Sequence, residues 1–290
     1  MSFEVKNLSP GFGAEILGFR TYDEIDQKLV SELIDVWRSV GGLLVIRNQK
    51  LTTEQHINFS RFFGPLFGDK GNAPLQETVS QYIHPRHPQI YRVSNQTDDK
   101  GKPLGRKGAG TYWHSDVSFR DYPAQASLLY GRKVPPVGGD TMFADQARSY
   151  EALSSGMKAL LDPLYAVHDF EIAARTQYAK PTVIEDDLGG QNRAIHPIVR
   201  THNETKRKSL YINPGFTSYI DGFLPGESEV ILNFLYEHSK QPEFVYRHCW
   251  NENDLVIWDN RTLMHCAVMD YPDDATRYME RCTVIGEKPV

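Results

Sequence analysis

The sequence predicts a single α+β domain, mainly β, arranged as a sandwich or barrel with helices packed outside it. Two features carry this. From residue 111 onward, short strand-like runs alternate with turns: ASLLYGRKV, DTMFAD, KSLYINP, EFVYRHCW, DLVIWD and RYMERCTVIG. Helical patterns cluster in the first 65 residues and otherwise occur as insertions. No internal repeat, low-complexity tract or linker divides the 290 residues, so residues 1–290 read as one domain.

Taken in order, the chain opens with short strands around Gly11 and Gly13. In YDEIDQKLVSELIDVWRSVG the apolar residues Ile25, Leu29, Leu33 and Trp37 recur every four positions, one face of a helix, which Gly41 and Gly42 stop. LLVIRNQ follows as a short apolar strand. In LTTEQHINFSRFFG, Thr52 and Gln55 form a capping-box pattern, and Ile57, Phe59, Phe62 and Phe63 supply a helical stripe. Residues 67–110 carry little regular pattern apart from a strand in QIYRVSN, and read as a mobile lid over the site. Within them QTDDKGKPLGRKGAG is polar and glycine-rich, as a surface loop is. Further helices are expected at 145–161, with Ala147, Tyr150, Ala152, Leu153 and Leu160 as the apolar face, and at about 226–239.

Charge and composition narrow the function. With 32 basic and 37 acidic residues the net charge is −5, which does not suit a nucleic-acid partner. Lys206, Arg207 and Lys208 read as a solvated hairpin tip. No run approaches the ~18 apolar residues of a spanning helix, and no signal peptide opens the chain, so no membrane partner is expected. Cys249, Cys266 and Cys282, an odd and sparse set without a CxxC pair, suit reduced thiols in the cytoplasm. Oligomeric state is not legible, and a homo-oligomer stays open.

The candidate chemistry begins in TYWHSDVSF. On a strand His114 and Asp116 point to one face, so both can meet one metal ion. By itself H-x-D is a weak pattern. A third ligand strengthens it, because iron(II) oxygenases use two histidines and one carboxylate and leave the other positions open. His265, delivered by DLVIWDNRTLMH through a polar turn of Asp259, Asn260 and Arg261, is the distinctive candidate, with a satisfied core histidine as the plainer reading. His196, His202, His248, His84 and His87 are weaker ones. In ATRYMERCTVIG, Arg277, Met279, Arg281 and Thr283 share one strand face. Two arginines there are either solvent-facing or clamps for anions, to which a guanidinium offers bidentate donors. Thr141 in VPPVGGDTMF reads as a good β-former or as a hydroxyl for the same anion.

WHSDVSF, VPPVGGDTMFAD, HPIVRTHNETKRKSLYINPGFTSYI, PEFVYRHCWNENDLVIWDNRTLMH and RYMERCTVIGEKP, in that order, resemble the taurine dioxygenase and dichlorophenoxyacetate dioxygenase family of iron(II)/2-oxoglutarate oxygenases. The likeness covers nearly the whole chain and is weakest at 67–110. It implies a double-stranded β-helix, or jelly-roll, core with flanking helices. It implies that His114, Asp116 and His265 ligate Fe(II), and that Thr141 and Arg277 hold the distal carboxylate of 2-oxoglutarate. Arg281 matches the position that binds the acidic group of the substrate, and Phe216 and Tyr112 go with it to the substrate pocket. The implied activity is an O₂-dependent hydroxylation of a small anionic organic substrate, a sulfonate, alkyl sulfate or carboxylate, with release of succinate and CO₂. Where the hydroxylated carbon bears a heteroatom, a C–S or C–O bond is cleaved. The taurine-using branch has an asparagine shortly before its H-x-D and an HPxYP segment after FFGPLF; this chain has Gly110, Thr111, Tyr112 and Trp113, then GDKGNAPLQE, in those places. The anion end of the pocket thus matches and the other end differs. Two other readings stay open at this point: a zinc hydrolase on the same three ligands, and a jelly-roll binding protein without catalysis.

Overall fold

The computed structural model describes residues 3–22, 26–72, 82–172 and 192–290. Its strands are β1 (Glu4–Asn7), β2 (Ala14–Leu17), β3 (Leu43–Ile46), β4 (Ile83–His84), β5 (His87–Ser94), β6 (Ala124–Lys133), β7 (Thr141–Asp145), β8 (Tyr165–Asp169), β9 (Arg193–Pro197), β10 (Val199–Thr201), β11 (Lys208–Leu210), β12 (Thr217–Ile220), β13 (Val245–His248), β14 (Leu255–Asp259), β15 (Leu263–Ala267) and β16 (Tyr278–Ile285). The helices are α1 (Gln27–Ser39), α2 (Thr53–Ser60), α3 (Gln146–Ala152), α4 (Ser155–Leu161) and α5 (Pro225–Ser239). The fold is mixed, and mostly strand.

An eight-stranded sheet in the order β1-β2-β3-β14-β6-β16-β5-β4 forms the platform. Strand alternation divides its side chains between two cores. Leu44 and Ile46 of β3, Leu128 and Tyr130 of β6, Leu255 and Ile257 of β14 and Cys282 and Val284 of β16 pack with Leu33 and Trp37 of α1 and Ile57 and Phe59 of α2. Leu43, Val45, Leu129, Val256, Trp258 and Met279 point the other way, toward Phe143 of β7 and Leu263 of β15. Those last two strands belong to a three-stranded sheet, β13-β7-β15. Truncating a fully buried member such as Leu33 to alanine removes about 2–5 kcal/mol. Both faces of the central strands are covered, which is why runs such as LLVI and LVIW are apolar throughout. A third cluster, under α3, α4 and α5, buries Leu161, Ile198, Leu210 and Leu235.

Several expectations are met residue by residue. Thr52 and Gln55 form a reciprocal capping box at α2. Lys206 sits at φ 60 in the tip between β10 and β11, and Arg207 and Lys208 pair with Glu151 and Asp162. Others are corrected. The helix expected at 145–161 is two, because Leu153 adopts extended backbone and Ser154 starts a new cap for α4; Leu160, placed on the apolar face, is 43% exposed. In α1, capped by Asp26, Val30 joins Leu33 and Trp37 in the core while Leu29 is only half-buried. Ile25 lies outside the described residues. Phe62 is 38% exposed, since the chain tightens into a 3-10 turn at Arg61–Phe63 and rotates that side chain off the stripe. Of the lid expected at 67–110, residues 73–81 lie outside the described set; β5 pairs with β16, and Gly105 lies against Ser94 and Arg92 so closely that a Cβ would fall 2.7–2.9 Å from them.

Candidate metal and anion site

Two distant segments meet at the site through a pair of backbone bonds. His114 N donates to His265 O at 3.0 Å, and His265 N donates to His114 O at 2.8 Å. The bridge sets the imidazoles side by side, with ring centroids 4.1 Å apart. Ser115, between the two candidate ligands of the loop, donates its hydroxyl to Leu263 O at 3.0 Å, fastening the loop to β15. Val117 then takes φ 60, rare for a β-branched residue, and turns the chain immediately after Asp116.

His114, Asp116 and His265 each offer a ligand atom, all within 4.8 Å of one another, and all three are buried. Among the described residues no other group of three His, Cys, Asp or Glu does so. His114 Nδ1 donates to the Tyr112 carbonyl at 2.8 Å, which leaves Nε2, 3.6 Å from Asp116, as the nitrogen placed to ligate. Burial and the neighbouring His114 push the His265 imidazole well below its ordinary pKa, which keeps it neutral and able to ligate. Burial pushes the Asp116 carboxyl up, but the Arg281 guanidinium, His265 and His114 outweigh it and hold the group far below the usual carboxylate range. Arg281 Nη1 lies 2.7 Å from Asp116 Oδ1, with its guanidinium over the Tyr91 ring. A donor set of two imidazoles and one ionised carboxylate fits a divalent first-row metal with open positions.

The three groups open onto one cavity. Thr141, Arg277 and Arg281 line it, as do Phe216 and Tyr112, so every sequence-predicted site residue is brought together there. Thr141 Oγ1 accepts from Trp250 Nε1 at 3.0 Å, which leaves the hydroxyl proton for a ligand. Arg277 is 5% exposed; its Nε donates to Gly139 O at 3.2 Å, and no carboxylate pairs with it among the described residues. Burial lowers its pKa. A buried guanidinium without a carboxylate in contact is costly, and an anion beside it would offset that cost. Phe216 packs on Tyr112 and Phe119, with centroids 6.0 and 5.0 Å away. Gly215 permits this, since a Cβ there would fall 2.6 Å from the Tyr112 ring.

The weaker histidine candidates take other roles. His202 Nε2 donates to Asp259 at 3.1 Å while its Nδ1 accepts from the Thr205 amide at 3.2 Å, His196 bonds Arg120 O, and the tilted rings of His84 and His87 lie 4.9 Å apart. Sequence reasoning did not single out Arg106, which reaches the cavity from the loop beside β5, nor the aromatic walls Tyr91, Phe119 and Phe170. A lone arginine in a polar loop carries no pattern that would have found it.

The site thus has the two-histidine, one-carboxylate donor set of a metal-dependent enzyme, with two arginines beside it. A model of the family described as "Taurine catabolism dioxygenase TauD, TfdA family" matches residues 4–283, and the chain belongs to that family. The alpha-ketoglutarate-dependent 2,4-dichlorophenoxyacetate dioxygenase of Cupriavidus pinatubonensis is 33% identical, over the full length of both chains. An alkylsulfatase of Acinetobacter baylyi is 31% identical, over 98% of this chain and 85% of its own. Among solved structures, AAD-2 in complex with Mn(II) and N-oxalylglycine superposes with a TM-score of 0.81 at 30% identity, covering 100% of this chain and 99% of that one. A taurine dioxygenase from Burkholderia xenovorans gives 0.80 at 32% identity, over 100% of this chain and 91% of that one.

Proposed function

We propose that this chain is an Fe(II)- and 2-oxoglutarate-dependent dioxygenase that hydroxylates a small anionic organic substrate, a sulfonate, alkyl sulfate or carboxylate, with release of succinate and CO₂. The observation that carries the reading is one cavity holding the His114, Asp116 and His265 group together with the uncompensated Arg277. Bound iron and 2-oxoglutarate supply the activation of O₂. The chain's own residues do the rest. His114, Asp116 and His265 hold the metal, and Arg277 with the Thr141 hydroxyl takes the distal carboxylate of the cosubstrate. Arg281 orients the acidic group of the substrate near the metal, where orientation contributes strongly to rate. Phe216 and Tyr112 close the wall around its apolar part and exclude water. The strands are read as a double-stranded β-helix, supported by the eight-stranded sheet facing β13-β7-β15 across a shared core. The loop that follows β5 is read as a lid over this single domain, supported by Arg106, Ala109 and Gly110 at the cavity. A cytoplasmic location accords with the three free cysteines, and a homo-oligomer stays open.

A zinc hydrolase would need a general base beside the ligands. Asp116 is the only carboxylate among the described residues that line the cavity, which favours the oxygenase. The test is anaerobic addition of 2-oxoglutarate to iron-loaded protein. A visible metal-to-ligand charge-transfer band is expected, absent in His265→Ala; no band in the parent protein overturns the assignment. A panel of sulfonates, alkyl sulfates, aryloxy-carboxylates and amino acids, read by succinate release, then identifies the substrate class.

A further inference from the structure

We infer that Ser127 and Asn260 are positioning residues for the site carboxylate and set how tightly the site holds its metal; the inference rests on the function proposed above. The direction of every bond among them is fixed. Asn260 Oδ1 accepts two N–H groups that can only donate, the Asp116 backbone amide at 3.1 Å and the Trp258 indole at 3.0 Å. The amide nitrogen of Asn260 therefore faces the other way, and donates to Ser127 Oγ at 3.0 Å. Its partner is thus Ser127's oxygen, and the single hydroxyl proton of Ser127 goes to Asp116 Oδ2, 2.7 Å away. Ser127, Asn260 and Trp258 are at most 1% exposed, so water does not compete for these bonds.

The chain of bonds joins three parts of the fold. Ser127 lies on β6, Trp258 on β14, and Asn260 in the turn that leads to β15 and His265. Asp116 is held at its backbone nitrogen by one member and at one carboxylate oxygen by another. Its plane is therefore set toward the two imidazoles by protein bonds alone. Without the Ser127 hydroxyl the carboxylate keeps only Arg281 at Oδ1 as a close partner on the site side, and is free to turn toward it. Partners one shell out from metal ligands are typically worth about 10- to 100-fold in metal affinity.

The test is titration of the metal-free full chain with cobalt(II), read by affinity and by the visible d–d absorption of the bound ion. Ser127→Ala removes one oxygen atom; its cobalt(II) Kd is expected to rise about 10- to 100-fold, with an altered spectrum. Ser127→Cys, a weaker donor of similar shape, is expected to fall between it and the parent. A merely structural role would lower the Tm of the metal-free variants and leave the Kd and spectrum as in the parent; that result overturns the positioning role while leaving the metal site standing. His265→Ala is the control. If it binds cobalt(II) like the parent, or if the parent does not bind, the metal assignment itself is wrong and the inference goes with it.

Discussion

Arg281 and Asp116 form a partly buried ion pair, Nη1 to Oδ1 at 2.7 Å, so the residue expected to seize the substrate's acidic group also touches the carboxylate expected to hold the metal. Arg281→Gln is expected to lower kcat/KM for the anionic substrate about 100-fold or more, in line with removal of one member of a desolvated charge pair. The KM for 2-oxoglutarate, held elsewhere, should change little. Steady-state kinetics with each substrate varied in turn checks this, and an equal loss on neutral analogues would count against the role.

Arg277 behaves differently because no carboxylate among the described residues pairs with it. Replacing it with methionine exchanges a buried, uncompensated charge for an apolar chain of similar length. Thermal stability of Arg277→Met without cosubstrate should equal or exceed that of the parent. Its affinity for 2-oxoglutarate should fall by about 100-fold, a charge-assisted contact worth roughly 2–3 kcal/mol. Calorimetry and a 2-oxoglutarate titration separate the two effects.

Gly110 has φ +71, and a Cβ built on it would lie 2.7 Å from His114 Cε1. Gly110→Ala should therefore cost about 1–2 kcal/mol from the backbone alone and displace a metal ligand as well. The expected result is a lower Tm together with weaker metal binding. An alanine variant that binds metal like the parent would show that the loop relaxes freely.

Acid should destabilise the protein early. Burial holds His56 and His196 down at about 4, and His168 well below its ordinary value. The unfolded chain thus binds protons there that the folded one does not. Stability is full above about pH 6.5 and is lost as pH falls toward 4, by up to about 1.4 kcal/mol per pH unit for each histidine. Asp145 opposes this. It caps α3 through Oδ1 while Oδ2 has no hydrogen-bond partner, and burial raises it to about 6. Raised above its unfolded value, it favours the folded state below about pH 4 and loses that contribution as pH rises through 6. Asp145→Asn keeps a capping oxygen and removes the charge. It should be more stable than the parent at pH 8, with the advantage shrinking by pH 5; urea unfolding at the two pH values measures it.

The legible parts of this molecule are those in which one residue's neighbours in sequence are also its neighbours in space. The capping box of α2 and the facing of Arg277 and Arg281 into one cavity follow from local periodicity. The pairing of His114 with His265 does not, since 151 positions separate them; only the family resemblance joins them in the sequence. Ser127 and Asn260 stayed hidden for a physical reason. A serine on a strand and a polar turn are commonplace, and only the convergence of β6, β14 and the loop of Asp116 gives them a task. The break at Leu153 is not legible in the periodicity, because an apolar stripe continues across it and only the backbone changes.

The reciprocal bonds between His114 and His265 are made by the main chain, and the Tyr112 carbonyl orients one of the rings. The ion is then a guest in a finished receptor and not a keystone of the fold. Exhaustive chelation should abolish turnover yet leave the far-ultraviolet circular dichroism unchanged, and added Fe(II) should restore activity within mixing time, without a refolding phase.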